Sequence, residues 1–305
     1  MTTVSTSNPP ASTPSNTEVT VVKAHRGWVA VNFAEVWRYR ELLFFLALRD
    51  IKVRYKQTVL GAAWAMLQPL MVMVVFSVLF GLLMDRKPTI AGIPYGISTF
   101  CALVPWQLFA ASLSQAGNSL VNNRHLITKV YFPRLLTPSA PVLAAGVDFV
   151  IAFGVLILMI AGYHFFDSSY QFQFSWGLLL LPVFTLTAAM TALGAALWLS
   201  ALNALYRDFR YTITFLVQLW MYATPVVYTA GSIHEKLNPK HADLIMTIYS
   251  VNPMVGVVEG FRWAMLGTDA PQPGIFVVSF CVMAFTLWSG MYYFKRMERH
   301  FADLV

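Results

Sequence analysis

The sequence predicts an all-α polytopic membrane protein. It should have six transmembrane helices, an N-terminal amphipathic interface helix, and re-entrant helices between the fifth and sixth crossings. Three observations lead there. Six stretches are nearly free of charge: Gln57–Met84, Pro88–Asn123, Leu135–Phe166 (marred by Asp148 and His164), Asp167–Arg207, Tyr211–Ile233 and Ala270–Phe294. Each exceeds the roughly 20 apolar residues that a helix needs to cross a hydrocarbon core. Across the 305 residues, 57% are hydrophobic and 11% are charged, against about 25% charged in a soluble chain. The apolar runs do not alternate, so helices rather than a barrel satisfy the backbone.

The third observation is where the cations lie. The net charge of +7 resembles a nucleic-acid signal, but the distribution excludes that partner. Sixteen Lys/Arg fall in segments that share one side: 23–56, 124–134, Arg207, Arg210 and the tail Lys295, Arg296 and Arg299. Five fall on the other: Arg86, Lys87, Lys236, Lys240 and Arg262. By the positive-inside rule both termini are cytoplasmic.

Taken in order, residues 1–30 are rich in Ser, Thr, Pro and Asn and read as a disordered cytoplasmic leader, not a signal peptide. Residues 31–58 form the interface helix. Phe33, Trp37, Phe44, Leu48, Ile51 and Tyr55 recur at helical spacing, with Glu35, Arg38, Arg49, Lys52 and Lys56 on another side. A soluble helix packed on a partner is the alternative. Residues 59–294 form the transmembrane domain. Crossing one follows Gln57; crossing two lies within 94–119, with a kink or two half-elements expected at Pro105-Trp106. Residues 123–131 form a short cytoplasmic helix capped by Asn123 and stopped by Pro133. Crossings three, four and five run about 139–163, 176–202 and 211–227. Leu244–Val258 is uncharged and broken by Pro253; it is too short to span and too apolar for water, which fits half-inserted helices covered by protein. A seventh crossing is the alternative. Residues 295–305 are a cytoplasmic tail.

Little chemistry is written in the side chains. There is no GxxxxGK[ST], HExxH, CxxC or GxSxG pattern. Catalytic residues and metal ligands are therefore expected to be none; His234 and His241 make only a weak metal pattern. Cys101 and Cys281 read as lone packing thiols. Asp148, the only acid deep in a crossing, reads as a hydrogen-bonded structural group or a coupling residue. Trp64, Phe76, Phe80, Phe215, Trp220, Tyr222 and Tyr228 are candidates to stack on sugars if they line a pore, though for any one of them lipid or core packing is the favoured reading.

Three pieces carry a resemblance. They are Arg49–Gly61 (RDIKVRYKQTVLG) with Trp64 and Pro69, Leu126–Arg134 (LITKVYFPR), and Asn252-Pro253-Met254 with Glu259-Gly260-Phe261-Arg262. Together they look like the membrane permeases of ABC exporters for cell-surface polysaccharides (O-antigen, capsule, teichoic acid), from about Phe33 to the C-terminus. The resemblance implies a homodimer in the cell inner membrane, with two copies of a nucleotide-binding ATPase that hold the ATP and Mg; this chain carries no cofactor. It implies a lipid-linked polymer on an undecaprenyl-type pyrophosphate, moved through a channel between the permeases. By position, Asn123, Arg124, His125, Leu126, Ile127 and Lys129 would couple to the ATPase, joined by Arg207, Asp208 and Arg210. Arg54, Tyr55, Lys56 and Gln57 would sit beside the lipid pyrophosphate. Residues 233–267 would form outer gate helices. Two other classes compete. An integral-membrane enzyme acting on lipid-linked glycans would need paired carboxylates, for which Asp243, Glu259 and Asp269 are the plausible external set. An ion-driven transporter would need several buried titratable groups.

Overall fold

The computed structural model describes residues 33–56, 61–84, 89–90, 93–166, 175–206, 208–234 and 241–298. The expected leader and the end of the tail lie outside these. The described chain is a helical bundle, and its strands β1 (Thr89–Ile90) and β2 (Ile93–Pro94) form one small antiparallel pair.

The interface helix is two segments, α1 (Phe33–Arg38) and α2 (Arg40–Lys56). Tyr39 between them keeps the helical ladder: its N–H reaches Glu35 O at 3.2 Å, and Leu43 N–H reaches Tyr39 O at 3.1 Å. Leu46 and Ala47 are buried, whereas Trp37, Phe44, Phe45 and Val53 are exposed. The helix is thus apolar toward both the protein and its surroundings, which suits a membrane boundary.

Next comes α3 (Gly61–Met84), uncharged throughout, which contributes the apolar stretch Met66–Leu79. The second expected crossing is α4 (Tyr95–Gly117), the most deeply buried of the four helices long and apolar enough to span. Pro105 sits inside it without dividing the element, contrary to the expected half-elements. Neighbouring helices supply the packing that lets a membrane helix keep a proline. After α4 the chain makes two short helices, α5 (Ser119–Asn122) and α6 (Arg124–Lys129). Two long helices follow, α7 (Leu136–Phe166) and α8 (Leu181–Leu205); a 3-10 turn over Trp176–Leu180 leads into the second.

The fifth expected crossing is shorter than predicted. α9 (Phe209–Tyr222) has 14 residues, about 21 Å at 1.5 Å per residue. It leads into α10 (Ala230–His234), α11 (Ala242–Tyr249), α12 (Pro253–Leu266) and α13 (Pro273–Met297). Helices α11 and α12 meet at a 104° bend, which is not the geometry of one straight seventh crossing. Four described elements are long and apolar enough to span: Tyr95–Gly117, Leu136–Phe165, Trp176–Leu205 and Pro273–Met297. The bent pair makes a fifth if counted as one span. The protein is therefore multi-pass.

Helices α8 and α13 touch backbone to backbone. A Cβ on Gly194 would come within 2.7 Å of the Leu287 backbone, and one on Gly290 would overlap the Gly194 carbonyl. Next to this crossing Trp198 stacks on Tyr293, ring centroids 4.1 Å apart. Small residues at a crossing allow the close approach on which packing in lipid relies.

Gly194→Leu should wedge α8 from α13 and cost about 3 kcal/mol or more, because overpacking at backbone contact cannot relax. Thermal unfolding in detergent checks this. Gly274→Ala, where an added Cβ meets nothing within 4 Å, should melt with the parent.

Candidate functional site

Two polar assemblies mark opposite ends of the bundle. The first joins the chain around α2 and α6. Arg49 on α2 donates to Asp50 Oδ1 at 2.7 Å and to Asn123 Oδ1 at 2.8 Å. Asn123 Nδ2 donates to Ser119 O at 2.9 Å. Asn123 does stand at the N-cap of α6, but its side chain makes no capping bond; it ties α5 to α2 instead. The expected cap is corrected because Arg49 claims the oxygen a cap would use.

One turn further along α2, Arg54 Nη1 donates to Asp148 Oδ2 on α7, and Arg54 Nη2 donates to Gln115 Oε1 on α4. Tyr55 donates its hydroxyl proton to Asp148 Oδ1. Burial lowers the Arg54 guanidinium from its ordinary range and pushes the Tyr55 phenol up. Asp148 is therefore a paired acid, which leaves the ion-driven reading without its one buried candidate in unpaired form.

The remaining cytoplasmic-loop candidates divide by exposure. Ile127 is buried in an apolar cluster with Leu46, Leu120, Phe132, Leu136 and Phe294, and Leu126 packs against it. Arg124, His125 and Lys129 are exposed, as are Val130 and Tyr131. Asp208 and Arg210, at the start of α9, are exposed too. Gln57 and Arg207 lie outside the described residues, as do the side chains of Trp64 and Phe80. Asn203 Nδ2 donates to Gly117 O at 3.2 Å and to Asn118 Oδ1 at 3.0 Å, so the end of α8 is tied to the α4–α5 break.

The aromatic candidates also divide. Phe76 is half-buried against the core. Trp220 donates to Asn252 Oδ1 at 2.9 Å and meets Phe109 edge-on at 4.9 Å. Tyr228 donates to Tyr222 O at 3.0 Å and lies 2.8 Å from the Tyr249 hydroxyl. Phe215 and Tyr222 are exposed on α9. Together with Tyr211 and Gln218, also exposed, they form one helical stripe.

The second assembly lies at the α12 end. Arg262, fully buried, donates to Glu259 Oε1 at 2.9 Å, to Val226 O at 2.7 Å and to Ser98 O at 3.4 Å. Glu259 also accepts from Ala230 N–H at 2.9 Å. Arg262 is thus not a solvated loop cation but an internal tie between α4, α12 and the chain after α9. Asn252 caps α12 by accepting from Met254 N–H at 3.1 Å and holds Trp220, Ala223 O and Thr224 Oγ1. Gly267, at φ 66°, ends the helix in the left-handed conformation. Between them, a Cβ on Gly260 would strike the Phe184 ring at 2.6 Å.

This geometry engages two of the three carboxylates of the enzyme reading and leaves Asp269 exposed. Glu259 is committed to Arg262 and Ala230. Asp243 is exposed and bonded to His234 at 3.4 Å and Gln272 at 3.0 Å. What the sequence reading missed are the partners: Gln115 for Arg54, Arg49 for Asn123, and Val226 O for Arg262. Gln115 was signalled by its polarity inside an apolar helix.

A helical bundle with an outlying N-terminal helix, a short exposed basic helix and a bent pair whose second helix is buried describes a membrane transport subunit. The chain belongs to the ABC-2 type transporter family, whose model matches residues 41–266. It is 27% identical to the O-antigen export system permease protein RfbA of Myxococcus xanthus, over 89% of this chain and 98% of that one. It is 26% identical to the O-antigen export system permease protein RfbA of Klebsiella pneumoniae, over 87% of this chain and 95% of that one. The expectation of a transport subunit rather than an enzyme is met, and membership implies an ABC ATPase partner.

Removing Arg262 as Arg262→Ala would leave Glu259 buried and unpaired, a loss of about 3–5 kcal/mol. The double variant Arg262→Met/Glu259→Met should recover part of it. Thermal unfolding in detergent and limited proteolysis between α9 and α12 report both.

Proposed function

We propose that this chain is the channel-forming permease of an ATP-driven exporter. Its substrate is a lipid-linked polysaccharide such as O-antigen, on an undecaprenyl-pyrophosphate-type carrier. The observation that carries this reading is the near full-length similarity to O-antigen export permeases, combined with an exposed basic helix at the end where a partner ATPase would dock. Two chains form a homodimer in the cell inner membrane, each with one ATPase copy that binds and hydrolyses ATP with Mg. Both termini face the cytoplasm, as the cation distribution requires. Six crossings follow from α3, α4, α7, α8, α13 and α9 with the buried segment after it. The α10–α12 region forms the outer gate helices, with α12 as the covered, half-inserted element.

In this reading the exposed α6 side chains Arg124, His125 and Lys129 bind the ATPase, with Asp208 and Arg210 beside them. Ile127 fastens α6 to the bundle, so that a push on α6 moves the protein rather than bending a loop. Exposed Tyr211, Phe215 and Tyr222 on α9 turn toward the channel between the two copies. Stacking on aromatic faces is adhesive yet tolerant of many sugars, which suits a sliding polymer. Arg54, Tyr55 and Lys56 meet the lipid diphosphate at the membrane boundary.

Arg124→Glu/Lys129→Glu should abolish pull-down of the ATPase and ATP-dependent polymer export while the melting temperature stays within about 2 °C, because exposed charges contribute little to folding. Retained ATPase binding would overturn the docking assignment. Thr128→Cys should react with a membrane-impermeant maleimide only in inside-out vesicles. Reaction in right-side-out vesicles would reverse the proposed orientation.

A further inference from the structure

The assembly around Arg54 contains more than a brace between helices requires. Two donors of different kinds, the Arg54 guanidinium and the Tyr55 hydroxyl, converge on the two oxygens of one carboxylate, Asp148. The other guanidinium nitrogen holds the Gln115 carboxamide, which also offers an amide donor. A planar cation and a hydroxyl on one anion, with a carboxamide on the far side of the cation, are a donor set suited to phosphate oxygens. The carboxylate is not sealed in: the Arg54 and Asp148 side chains retain 25% and 23% of their exposure.

Two open hollows lie beside it on α2. The Tyr55 ring lines an open hollow with Ile51, Lys52 and Lys56. A second hollow, on the other side of Lys52 and Lys56, has an apolar floor of Phe45, Leu48 and Val53 with Arg49 at its rim. Lys52 and Lys56 stand one helical turn apart between the two and are exposed. Among the described residues no carboxylate forms a salt bridge with either. Exposed cations above an apolar floor suit an anionic amphiphile at the membrane boundary.

We propose that Asp148 is a displaceable internal counter-anion, holding the Arg54/Tyr55/Gln115 cradle until the phosphate headgroup of a membrane lipid enters past Lys52 and Lys56 and takes its place. An unpaired guanidinium at this depth is costly, so the empty site needs an anion of its own. A headgroup carrying more charge than a carboxylate competes for the same donors, and Asp148, now beside a like charge, must turn away. The exchange keeps the site neutral when empty and releases α7 from α2 when it is filled. That the headgroup belongs to the exported lipid rests on the function proposed above; the exchange itself does not.

The test uses the permease with its ATPase in phosphatidylcholine nanodiscs, without nucleotide or polymer, and a fluorescent prenyl diphosphate as probe. Asp148→Asn, which keeps the shape and removes the competing charge, should tighten binding about tenfold, the effect of about one pK unit of lost opposing charge. Arg54→Ala should weaken binding at least as much. Weakening by both variants would overturn the proposal, because a purely structural pair loses the site either way. Should Asp148→Asn fail to assemble, carbodiimide labelling of Asp148 in the parent protein decides: the probe should raise it severalfold, and unchanged labelling overturns the exchange. Phosphatidylglycerol in the discs separates the two lipid sources. Failure to displace the probe assigns the cradle to a diphosphate lipid; displacement assigns it to bulk lipid and overturns the link to export. A complex that shows the exchange yet moves no polymer would instead refute the proposed function alone.

Discussion

A charge folded into an apolar bundle must bring its own partner, and this constraint organises the molecule. Arg54 at one end of the bundle and Arg262 at the other are held by acids that also bind neighbouring donors. Each pair joins segments remote in sequence. Arg54 fastens the interface helix to α4 and α7. Arg262 fastens α12 to α4 and to the chain after α9. Between these ends the helices pack through apolar contacts with no direction of their own, so the polar ties set which helix faces which.

The helical class was legible because lipid imposes it on composition: long uncharged runs have few other solutions. The break after α4, the start of α12 at Asn252-Pro253 and a bent pair before α13 were legible for local reasons: polar residues and prolines interrupt the apolar runs there. What could not be read were contacts set by helix register. Asp148 stood out as an acid in an apolar helix, yet nothing local names Arg54, 94 positions away. Ile127 could not be assigned inward because α6 has six residues, too few to reveal a face. Arg262 looked like a loop cation because the segment around it is short and flanked by polar residues. Its burial depends on α12 folding back into the bundle. Which face of α2 meets protein was not legible, because the helix is apolar on two sides and periodicity alone does not say which packs inward.

The residues behind the family resemblance make several of the bonds that join segments remote in sequence. The first piece contributes Arg49, Arg54 and Tyr55; the second contributes Ile127 to the apolar cluster and Arg134, which donates to Glu298 O at the end of α13. The third contributes Asn252, Glu259 and Arg262. None forms a catalytic constellation. The pieces instead stitch the interface helix, the short basic helix and the bent pair to the bundle, as a subunit driven from outside requires: force applied at one segment must arrive at another without being lost in loops.

The glycine contact between α8 and α13 bears on how such a subunit deforms. Two rods that meet backbone to backbone have no side-chain cushion through which to slide. They form a stiff wall that moves as one piece. By contrast α9, whose packing is chiefly with α4 and α8 and whose outer stripe is bare, is the panel hung on that wall. In the channel proposed for two such chains, widening would therefore begin at its free edge, with the wall staying still.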